Sequence, residues 1–549
     1  MKALLINPAQ ASALTNMSMN ALLEERKLSG LEAVNPPLGL LTVAALLPED
    51  WDIRLVDRCV EAETEDDWAW ADLVMLSCML DQVPDFFKVI KMAKERGKTV
   101  VVGGPYASAA PKRTRKAGAD FLVLDEAEET LPLFLEALEH GATEGVFNAE
   151  GQADVTRSPT PRFDLVDLDA YFMATLQFSR GCPFRCEFCD IINIKVGGRR
   201  PRTKTHEQVL KELDTLYQLG WRRMIYLSDD NFIGNKKAVK LFLRDLVPWM
   251  EERGYPFPLM TEASINMAGD DELLELMVAA GFTYVFIGIE AVETDILQQI
   301  KKTQNVRKPI VDACRKITES GLQITAGFIL GFDNEPDDAS DRMVQLIEAT
   351  AIPHAQINLL SAVPKAALFD RLQRERRLLN PFRGPYRGSP MNFLPTRPIP
   401  EIVRGFVDAY DRLYEPRAYL ERCFRHFRMM KAKRIKHAYH SRLRDLRMFA
   451  HVAWRQGVKR PETRWLFWRR LFWIALHRRR LLTEYLTSVS MGESFFRLRE
   501  HVKPLVATTD RLFGPHSFLA DCYVPPKNAD KDSETPDNDS ETPPLRVPA

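Results

Sequence analysis

The chain lacks any long apolar run. No segment reaches 18 consecutive apolar residues, and no early stretch joins a basic start to an uninterrupted apolar core. A membrane-spanning helix needs about 20 such residues, and a secretory signal needs both of those features. These absences predict a protein of the cytoplasm with no transmembrane segment.

Cysteine is scarce as well. Five of the 8 cysteines stand singly in unrelated segments: Cys59, Cys78, Cys314, Cys423 and Cys522. Isolated thiols in a chain of 549 residues argue against a disulfide framework and for a reducing compartment. The remaining three share one loop with the spacing C-x3-C-x2-C: Cys182, Cys186 and Cys189.

A chain of this length exceeds one hydrophobic core, so we expect several domains. Residues 1–140 alternate short apolar runs with helical patterns, which predicts a parallel, doubly wound α/β sheet of the Rossmann-like kind. The strand-like runs are Lys2–Asn7, Ile53–Asp57, Leu73–Ser77, Thr99–Gly103 and Phe121–Leu124. A ligand of such a sheet lies beyond the carboxyl ends of the strands. Gly39, Gly103 and Gly104 fall there. The pair Gly103 and Gly104 would let backbone approach a large ligand, although an ordinary turn also explains it.

A connector rich in Gly, Thr, Asp and Pro spans residues 141–170, and the alternating pattern then restarts over residues 171–365. Six strand-like runs occur there: Leu176–Arg180, Met224–Ser228, Pro258–Glu262, Tyr284–Glu290, Gln323–Leu330 and Gln356–Ser361. Six βα units in succession predict a second parallel α/β unit. The active-site residues of α/β barrels lie at the carboxyl ends of the strands.

The three-cysteine loop predicts an iron–sulfur cluster with one open coordination site. A [4Fe–4S] cluster normally takes four cysteines, and the loop supplies only three. An open position on a metal centre is where chemistry takes place. A zinc site is a weaker alternative, because the nearest downstream histidine, His206, lies far past Cys189.

These features resemble the cobalamin-binding branch of the radical SAM superfamily, in the hopanoid C-2 methylase subgroup. The segments that carry the resemblance are Asn35–Pro48, Phe178–Asp190, Asp229–Asn235, Phe286–Glu290 and Ile357–Pro364. The resemblance implies that the six βα units of residues 171–365 form a partial (βα)6 barrel. In that superfamily the bare iron of the cluster binds S-adenosylmethionine, and an electron from the cluster cleaves it to a 5′-deoxyadenosyl radical.

The resemblance also implies the residues that contact the cofactors: Phe188, Asp229, Asp230, Glu262, Ser264, Glu290, Gly327 and Gly331. The two aspartates stand where the family has a turn on the amino group of S-adenosylmethionine. Glu290 stands where a side chain meets the ribose, and Gly327–Gly331 matches a G-x-I-x-G pattern beside the adenine. An ordinary polar strand end or a packing glycine remains an equal alternative at each position. We assign no catalytic residue beyond the cluster ligands.

The resemblance further implies cobalamin in the first domain. Many cobalamin proteins ligate the cobalt through the histidine of an Asp-x-His-x-x-Gly motif. Histidine is rare here, with 10 in the chain, and the first is His140. The family likeness therefore predicts cobalamin bound without a histidine on its lower face.

The implied reaction is methyl transfer to an unactivated carbon, with a lipid such as a hopanoid as the substrate. One S-adenosylmethionine methylates cob(I)alamin, and a second yields the radical that abstracts hydrogen from the substrate. A flavodoxin or ferredoxin is the expected electron donor. Two other classes stay open: a cobalamin-assisted radical enzyme that cyclises or oxidises without methylating, and a noncatalytic lipid-binding protein.

Lys+Arg and Asp+Glu both number 75, so the chain has no overall excess of charge, but residues 366–523 predict a helical, basic region. Between Arg417 and Lys503 there are 23 Lys or Arg against 6 Asp or Glu, interleaved with Trp, Phe and Leu. Such a pattern suits an anionic membrane surface at the inner face of the membrane, an apolar face packed on the barrel, or nucleic acid, which we rank last. The polar, Pro-rich tail at 524–549 predicts disorder.

Overall fold

The computed structural model describes residues 1–10, 32–194, 197–379, 390–431 and 450–513. Its first sheet has six parallel strands in the order β2-β1-β3-β4-β5-β6. The strands are β1 Lys2–Asn7, β2 Asp52–Asp57, β3 Leu73–Ser77, β4 Thr99–Gly103, β5 Phe121–Val123 and β6 Gly145–Phe147. The doubly wound sheet is confirmed. The sixth strand was not anticipated, because its three residues are too few to show a pattern and lie in the stretch assigned to the connector.

Helices cover both faces of this sheet. They are α1 Leu38–Leu46, α2 Glu65–Trp70, α3 Val83–Glu95, α4 Gly104–Ala109, α5 Pro111–Lys116 and α6 Ala127–Glu139. Strand order reverses between β1 and β3, so the loops that follow these two strands diverge and leave a crevice at the carboxyl edge. That edge is where the sequence predicts cobalamin.

The second sheet has six parallel strands in the order β7-β10-β11-β12-β13-β14. Its strands are β7 Ala174–Leu176, β10 Ile225–Leu227, β11 Leu259–Ala263, β12 Phe282–Glu290, β13 Gln323–Leu330 and β14 His354–Leu359, with a separate antiparallel pair, β8 Ser179–Arg180 and β9 Arg202–Thr203. The helices between them are α7 His206–Gln218, α8 Lys236–Glu252, α9 Asp271–Ala279, α10 Thr294–Gln299, α11 Ile310–Ser320 and α12 Ala339–Thr350. Because β7 and β14 form the two edges, the barrel is partial, as predicted.

The first barrel strand ends earlier than the sequence predicts. It stops at Leu176, and Ser179–Arg180 pairs with Arg202–Thr203 instead. The cause is Asp229, whose carboxylate accepts hydrogen bonds from the backbone N–H groups of Phe178 and Ser179. Those N–H groups are thereby withdrawn from the sheet ladder.

The described part of the C-terminal region is helical, which confirms that prediction. Its helices are α13 Ala367–Arg374, α14 Ile399–Leu413, α15 Pro416–Met429, α16 Arg464–His477, α17 Leu482–Val502 and α18 Pro504–Phe513. None of the helices in the described ranges is long and apolar enough to cross a bilayer. The tail predicted to be disordered lies outside the described residues.

One apolar core runs through most of the molecule. It includes Ala3 and Leu5 from one face of the first sheet, Phe163 from the connector, Tyr171 directly after it, and the interior of the barrel. A smaller core fills the other face of the first sheet. The two sheets therefore pack against a shared apolar core and are not connected by a linker alone.

Candidate active site

The three cysteines lie on a loop that leaves the barrel at the carboxyl end of its first strand. Cys186 is buried, whereas Cys182 and Cys189 are partly exposed. Gly181 precedes them with a φ of +101°, and a Cβ there would lie 2.9 Å from the carbonyl oxygens of Gly197 and Gly198. The Cys182 N–H donates to the Gly198 carbonyl at 3.0 Å, so the loop closes tightly only because residue 181 has no side chain.

The cysteine sulfurs have amide neighbours that suit thiolates. Asn231 Nδ2 lies 3.9 Å from Cys182 Sγ, and Gln304 Nε2 lies 3.9 Å from Cys186 Sγ. Hydrogen bonds to sulfur tune the potential of an iron–sulfur cluster. In the described residues no three His, Cys, Asp or Glu side chains converge to hold a single metal ion. Three thiols on one loop, two of them with an amide neighbour, are a donor set that fits an iron–sulfur cluster.

Asp229 and Asp230 support the start of this loop. Asp229 Oδ2 accepts from both the N–H and the hydroxyl of Ser179, at 2.8 and 2.6 Å. Burial raises the pKa of Asp229 to about 7, although these hydrogen bonds act to lower it. Asp230 Oδ2 accepts from the Gly181 N–H at 2.6 Å. The contact of these aspartates with S-adenosylmethionine stays a prediction, and the structure gives both carboxylates partners in the cluster loop.

Glu262 lies near the carboxyl end of strand β11, and Ser264 follows that strand directly. The Tyr226 hydroxyl donates to Glu262 at 2.6 Å, and burial raises the pKa of that carboxyl. Ser264 lies 3.2 Å from the Asn231 amide, which in turn reaches Cys182. The structure therefore brings Ser264 into the surroundings of the cluster loop.

A buried lysine joins the site from a position that sequence patterns do not mark. Lys302 Nζ donates to Glu290 Oε1 at 2.8 Å, and both side chains are about nine-tenths buried. The same ammonium lies 5.8 Å from the centre of the Phe188 ring. Burial acts to lower the pKa of Lys302, but the Glu290 carboxylate and the neighbouring thiols outweigh it, so the pKa lies above its usual value. Lys302 follows Lys301 in a polar loop, and only the tertiary contacts distinguish the two.

The two glycines of the G-x-I-x-G pattern are tightly packed. A Cβ at Gly327 would lie 2.9 Å from the Phe286 ring, and one at Gly331 would lie 2.6 Å from Met391. The Gly331 N–H donates to Glu335 at 2.9 Å, and burial raises the pKa of that carboxyl to about 7. The place of the two glycines beside the adenine stays a prediction.

The glycines of the first domain differ in their surroundings. A Cβ at Gly103 would lie 2.8 Å from the Val123 carbonyl oxygen, and Gly104 has a φ of +83° and lies against Ser77. Around Gly39 there is open space within 4 Å. Gly39 thus has room for a ligand, whereas the glycine pair is also required by the packing of the sheet. His140 is at the C-terminal end of α6, on the opposite edge of the sheet.

The acidic loop of the first domain, residues 125–128, is joined to the cluster loop by salt bridges. Arg180, which precedes Gly181, contacts Glu126 at 2.7 Å and Glu128 at 2.6 Å. Arg202 contacts the other oxygen of Glu126 at 2.9 Å. Burial alone raises the pKa of Glu128, but Arg180 outweighs it and holds that pKa at about 2. The sequence does not reveal these arginine partners, because they lie about 50 residues or more further along the chain.

A cavity of about 590 Å³ opens where the three parts of the chain meet. Ala109 lines it from the first domain, Asn193 from the end of the cluster loop, and Lys365 and Phe369 from the segment after the barrel. Lys365 Nζ donates to the Ser108 carbonyl at 3.0 Å. The cavity therefore adjoins both predicted cofactor regions.

Comparison with known proteins agrees with this arrangement. The B12 binding domain family matches residues 30–135, the Radical SAM superfamily matches 176–347, and a domain of unknown function (DUF4070) matches 366–506. Hopanoid C-2 methylase of Rhodopseudomonas palustris is 36% identical over 455 residues, which is 80% of this chain and 83% of that protein. The chain belongs to the cobalamin-dependent radical SAM methyltransferases. Its cofactors are a [4Fe–4S] cluster, S-adenosylmethionine and cobalamin.

Other relatives of this methyltransferase extend over similar lengths. An uncharacterized methyltransferase of Synechocystis sp. is 48% identical over 505 residues, covering 92% of this chain and 93% of the relative. Among solved structures, the radical enzyme OxsB with aqua-cobalamin and S-adenosylmethionine bound has a TM-score of 0.57 at 16% identity, over 92% of this chain and 80% of that one. The methyltransferase TsrM of Kitasatospora setae has a TM-score of 0.54 at 16% identity, over 70% and 79%. These two likenesses show the fold.

Proposed function

We propose that this methyltransferase places its methyl group on an unactivated carbon of a lipid such as a hopanoid. The observation that carries the proposal is the 36% identity to a hopanoid C-2 methylase, which extends over 83% of that protein. The likeness covers 80% of this chain, far more than the radical SAM match at residues 176–347, so it is not confined to the general radical SAM machinery. We place the enzyme in the cytoplasm, at the inner face of the membrane.

Cys182, Cys186 and Cys189 would hold the cluster, and the crevice at the carboxyl edge of the first sheet, beside Gly39, would hold cobalamin. When bound, the cluster with S-adenosylmethionine supplies a radical, and cobalamin supplies the methyl group. The protein's own residues position the reacting groups and exclude water from them. They are not required to transfer protons. Asn231 and Gln304 orient toward the sulfurs, and the buried Lys302 places a positive charge beside them.

The acidic loop and Arg180 would hold the two cofactor regions at a fixed distance and orientation. Radical chemistry and methyl donation act on the same carbon, so a displacement of about 1 Å between them lowers the rate greatly. The buried salt bridges of Arg180 with Glu126 and Glu128 connect the two loops directly. We propose that the cavity beside Asn193 and Lys365 admits the substrate to the space between them.

The proposal is tested by anaerobic incubation of the reconstituted protein with cobalamin, S-adenosylmethionine, a reductant and a total lipid extract. We expect 5′-deoxyadenosine, S-adenosylhomocysteine and a lipid heavier by one methylene to appear together in mass spectra. A flavodoxin or ferredoxin, the class of electron donor that we propose, should replace the chemical reductant.

The Cys186→Ala variant should form none of the three products. Its matched control is Cys314→Ala, because Cys314 is a buried cysteine of barrel helix α11 outside the cluster loop. 5′-Deoxyadenosine without the other two products would contradict methyl transfer to lipid and favour cyclisation or oxidation. Methylation of a water-soluble substrate alone would contradict the lipid assignment.

A further inference from the structure

The outward face of helix α16 is the most exposed apolar surface in the described residues. Trp465, Phe472 and Leu476 are 78%, 61% and 80% exposed, more than any other large hydrophobic residue there. Their spacing of seven and four residues places them on one side of the helix. We call these three residues the α16 stripe. A soluble protein rarely leaves such a group uncovered without a binding role.

The opposite face of α16 already provides the packing that holds the helix in place. Phe467, Leu471 and Ile474 are buried, and the Trp473 ring packs edge-on against Phe424 with 5.2 Å between ring centres. The apolar residues of this segment therefore divide into an inner set that belongs to the core and the stripe, which does not.

Arginines surround the stripe. Arg469 lies between Trp465 and Phe472 in the helix, and Arg464, Arg479 and Arg480 are exposed at its two ends. Within the described ranges these four make no salt bridge, in contrast to Arg470, which contacts Glu421 at 2.7 Å. An apolar centre with an unpaired cationic rim is the pattern of a helix that lies in the headgroup region of an anionic bilayer.

We propose that the α16 stripe and its arginines bind the surface of a membrane that contains anionic phospholipid. Charge complementarity favours this occupant over a second copy of the chain, because two such faces would bring eight arginines together. The exposed apolar side chains favour lipid over nucleic acid. Burying an aliphatic side chain as exposed as Leu476 in hydrocarbon is favourable, whereas contact with a phosphate backbone gains nothing from it. The α16 stripe would be the surface from which the enzyme reaches a lipid substrate. In that respect this proposal rests on the proposed function.

The test is co-sedimentation of the reconstituted protein with vesicles of phosphatidylcholine and phosphatidylglycerol, and with vesicles of phosphatidylcholine alone. We expect binding to the mixed vesicles that weakens as salt is raised. The triple variant Trp465→Ser, Phe472→Ser, Leu476→Ser should bind at least about tenfold more weakly. The triple variant Arg469→Gln, Arg479→Gln, Arg480→Gln should lose most of the preference for anionic vesicles.

The matched control removes three exposed apolar residues from other helical segments: Leu133→Ser, Leu219→Ser and Leu241→Ser, which are 45%, 44% and 44% exposed. It should bind vesicles as the wild type does. All variants should retain the wild-type circular dichroism spectrum, and those in α16 should still release 5′-deoxyadenosine.

Four results would overturn the proposal: equal binding to both vesicle types, wild-type binding by the stripe variant, dimers in light scattering that the stripe variant abolishes, or loss of vesicle binding when duplex RNA is added. Methylation assays separate this proposal from the lipid substrate. If the stripe variant methylates detergent-dispersed lipid normally but lipid in vesicles poorly, both proposals are supported. If vesicle binding is confirmed and no lipid is methylated in either form, only the substrate assignment fails.

Discussion

At the scale of single residues, the loop that carries the cysteines depends on Gly181 as much as on the thiols. Its φ of +101° is a left-handed conformation, and the space that a Cβ would occupy is taken by two backbone carbonyl oxygens. Backbone atoms in a closed loop cannot move aside as a flexible side chain can. Any side chain at this position would therefore open the loop.

The Gly181→Ala variant should lose most of its iron after reconstitution. Gly220→Ala is the matched control, because Gly220 has a φ of +83° but no atom within 4 Å of the position that an added methyl group would occupy. Both variants carry the left-handed penalty of about 1–2 kcal/mol, and only the first carries the clash. Iron and sulfide content per chain, measured beside unfolding free energy, separates the two effects. Equal iron content in both variants would contradict this account.

Lys302 brings a positive charge into the barrel interior, where its partner is Glu290. Removal of one member of a buried pair leaves an uncompensated charge, which costs about 3–5 kcal/mol. The Lys302→Met variant should lose that much unfolding free energy in urea titrations of the protein before cluster assembly. The adjacent and exposed Lys301 supplies the control, since Lys301→Met should change the free energy by about 0.5 kcal/mol or less. Adding Glu290→Gln to Lys302→Met should restore part of the loss, and no recovery in the double variant would argue against the pair.

At the scale of elements, helix α14 and Tyr414 directly after it cover the β14 edge of the partial barrel. The Tyr414 hydroxyl accepts from the Ala355 N–H at 3.0 Å and donates to the carbonyl of the same residue. The Tyr410 hydroxyl accepts from the Ile357 N–H at 3.2 Å and donates to the Ile357 carbonyl at 3.0 Å. Strand β14 therefore has its outward backbone groups satisfied by two side chains instead of a seventh strand. An unpaired strand edge would otherwise be a site of aggregation.

Tyr410→Phe and Tyr414→Phe should each lower the unfolding free energy by about 1–3 kcal/mol, because each leaves buried backbone groups unsatisfied. The double variant should also aggregate more readily on mild heating. Tyr255→Phe is the control, since that hydroxyl reaches Glu251 at the surface and its loss should change stability by about 0.5 kcal/mol or less. Chemical denaturation and light scattering measure the two outcomes. A neutral result for Tyr414→Phe would show that water replaces the hydroxyl.

At the scale of the whole molecule, the two cofactor regions are joined by a shared apolar core and by buried charges. The connector contributes Phe163 to the core, and the Tyr171 hydroxyl donates to Asp57 of the first sheet at 3.0 Å. Arg180 adds the salt bridges to Glu126 and Glu128, in which the side chains are 12% exposed or less. These contacts oppose relative motion of the first domain and the barrel.

The Arg180→Met variant should lose about 3–5 kcal/mol of unfolding free energy and should release more 5′-deoxyadenosine per methylated product than the wild type. Arg315→Met is the control, because the Arg315–Asp312 pair is 52% and 66% exposed and contributes about 0–1 kcal/mol. Denaturant titration gives the first quantity and mass spectrometry of nucleosides and lipids gives the ratio. An unchanged ratio in a destabilised variant would mean that the salt bridges support the fold without coupling the sites.

The sequence alone determined the features that depend on local pattern. Alternating apolar runs and helices specified two parallel α/β units, since burial on both faces leaves a continuous apolar strand in the sequence. The spacing of Cys182, Cys186 and Cys189 predicts the cluster loop, because all three thiols lie within eight residues. The tertiary structure alone decided the rest. It gave Asp229 to the cluster loop, placed Lys302 beside Glu290, paired Arg180 with an acidic loop of another domain, and divided the apolar residues of α16 between the core and the surface. The first three of these contacts join residues that are far apart in the chain, and the last depends on which way neighbouring side chains of one helix point. A linear sequence pattern shows neither.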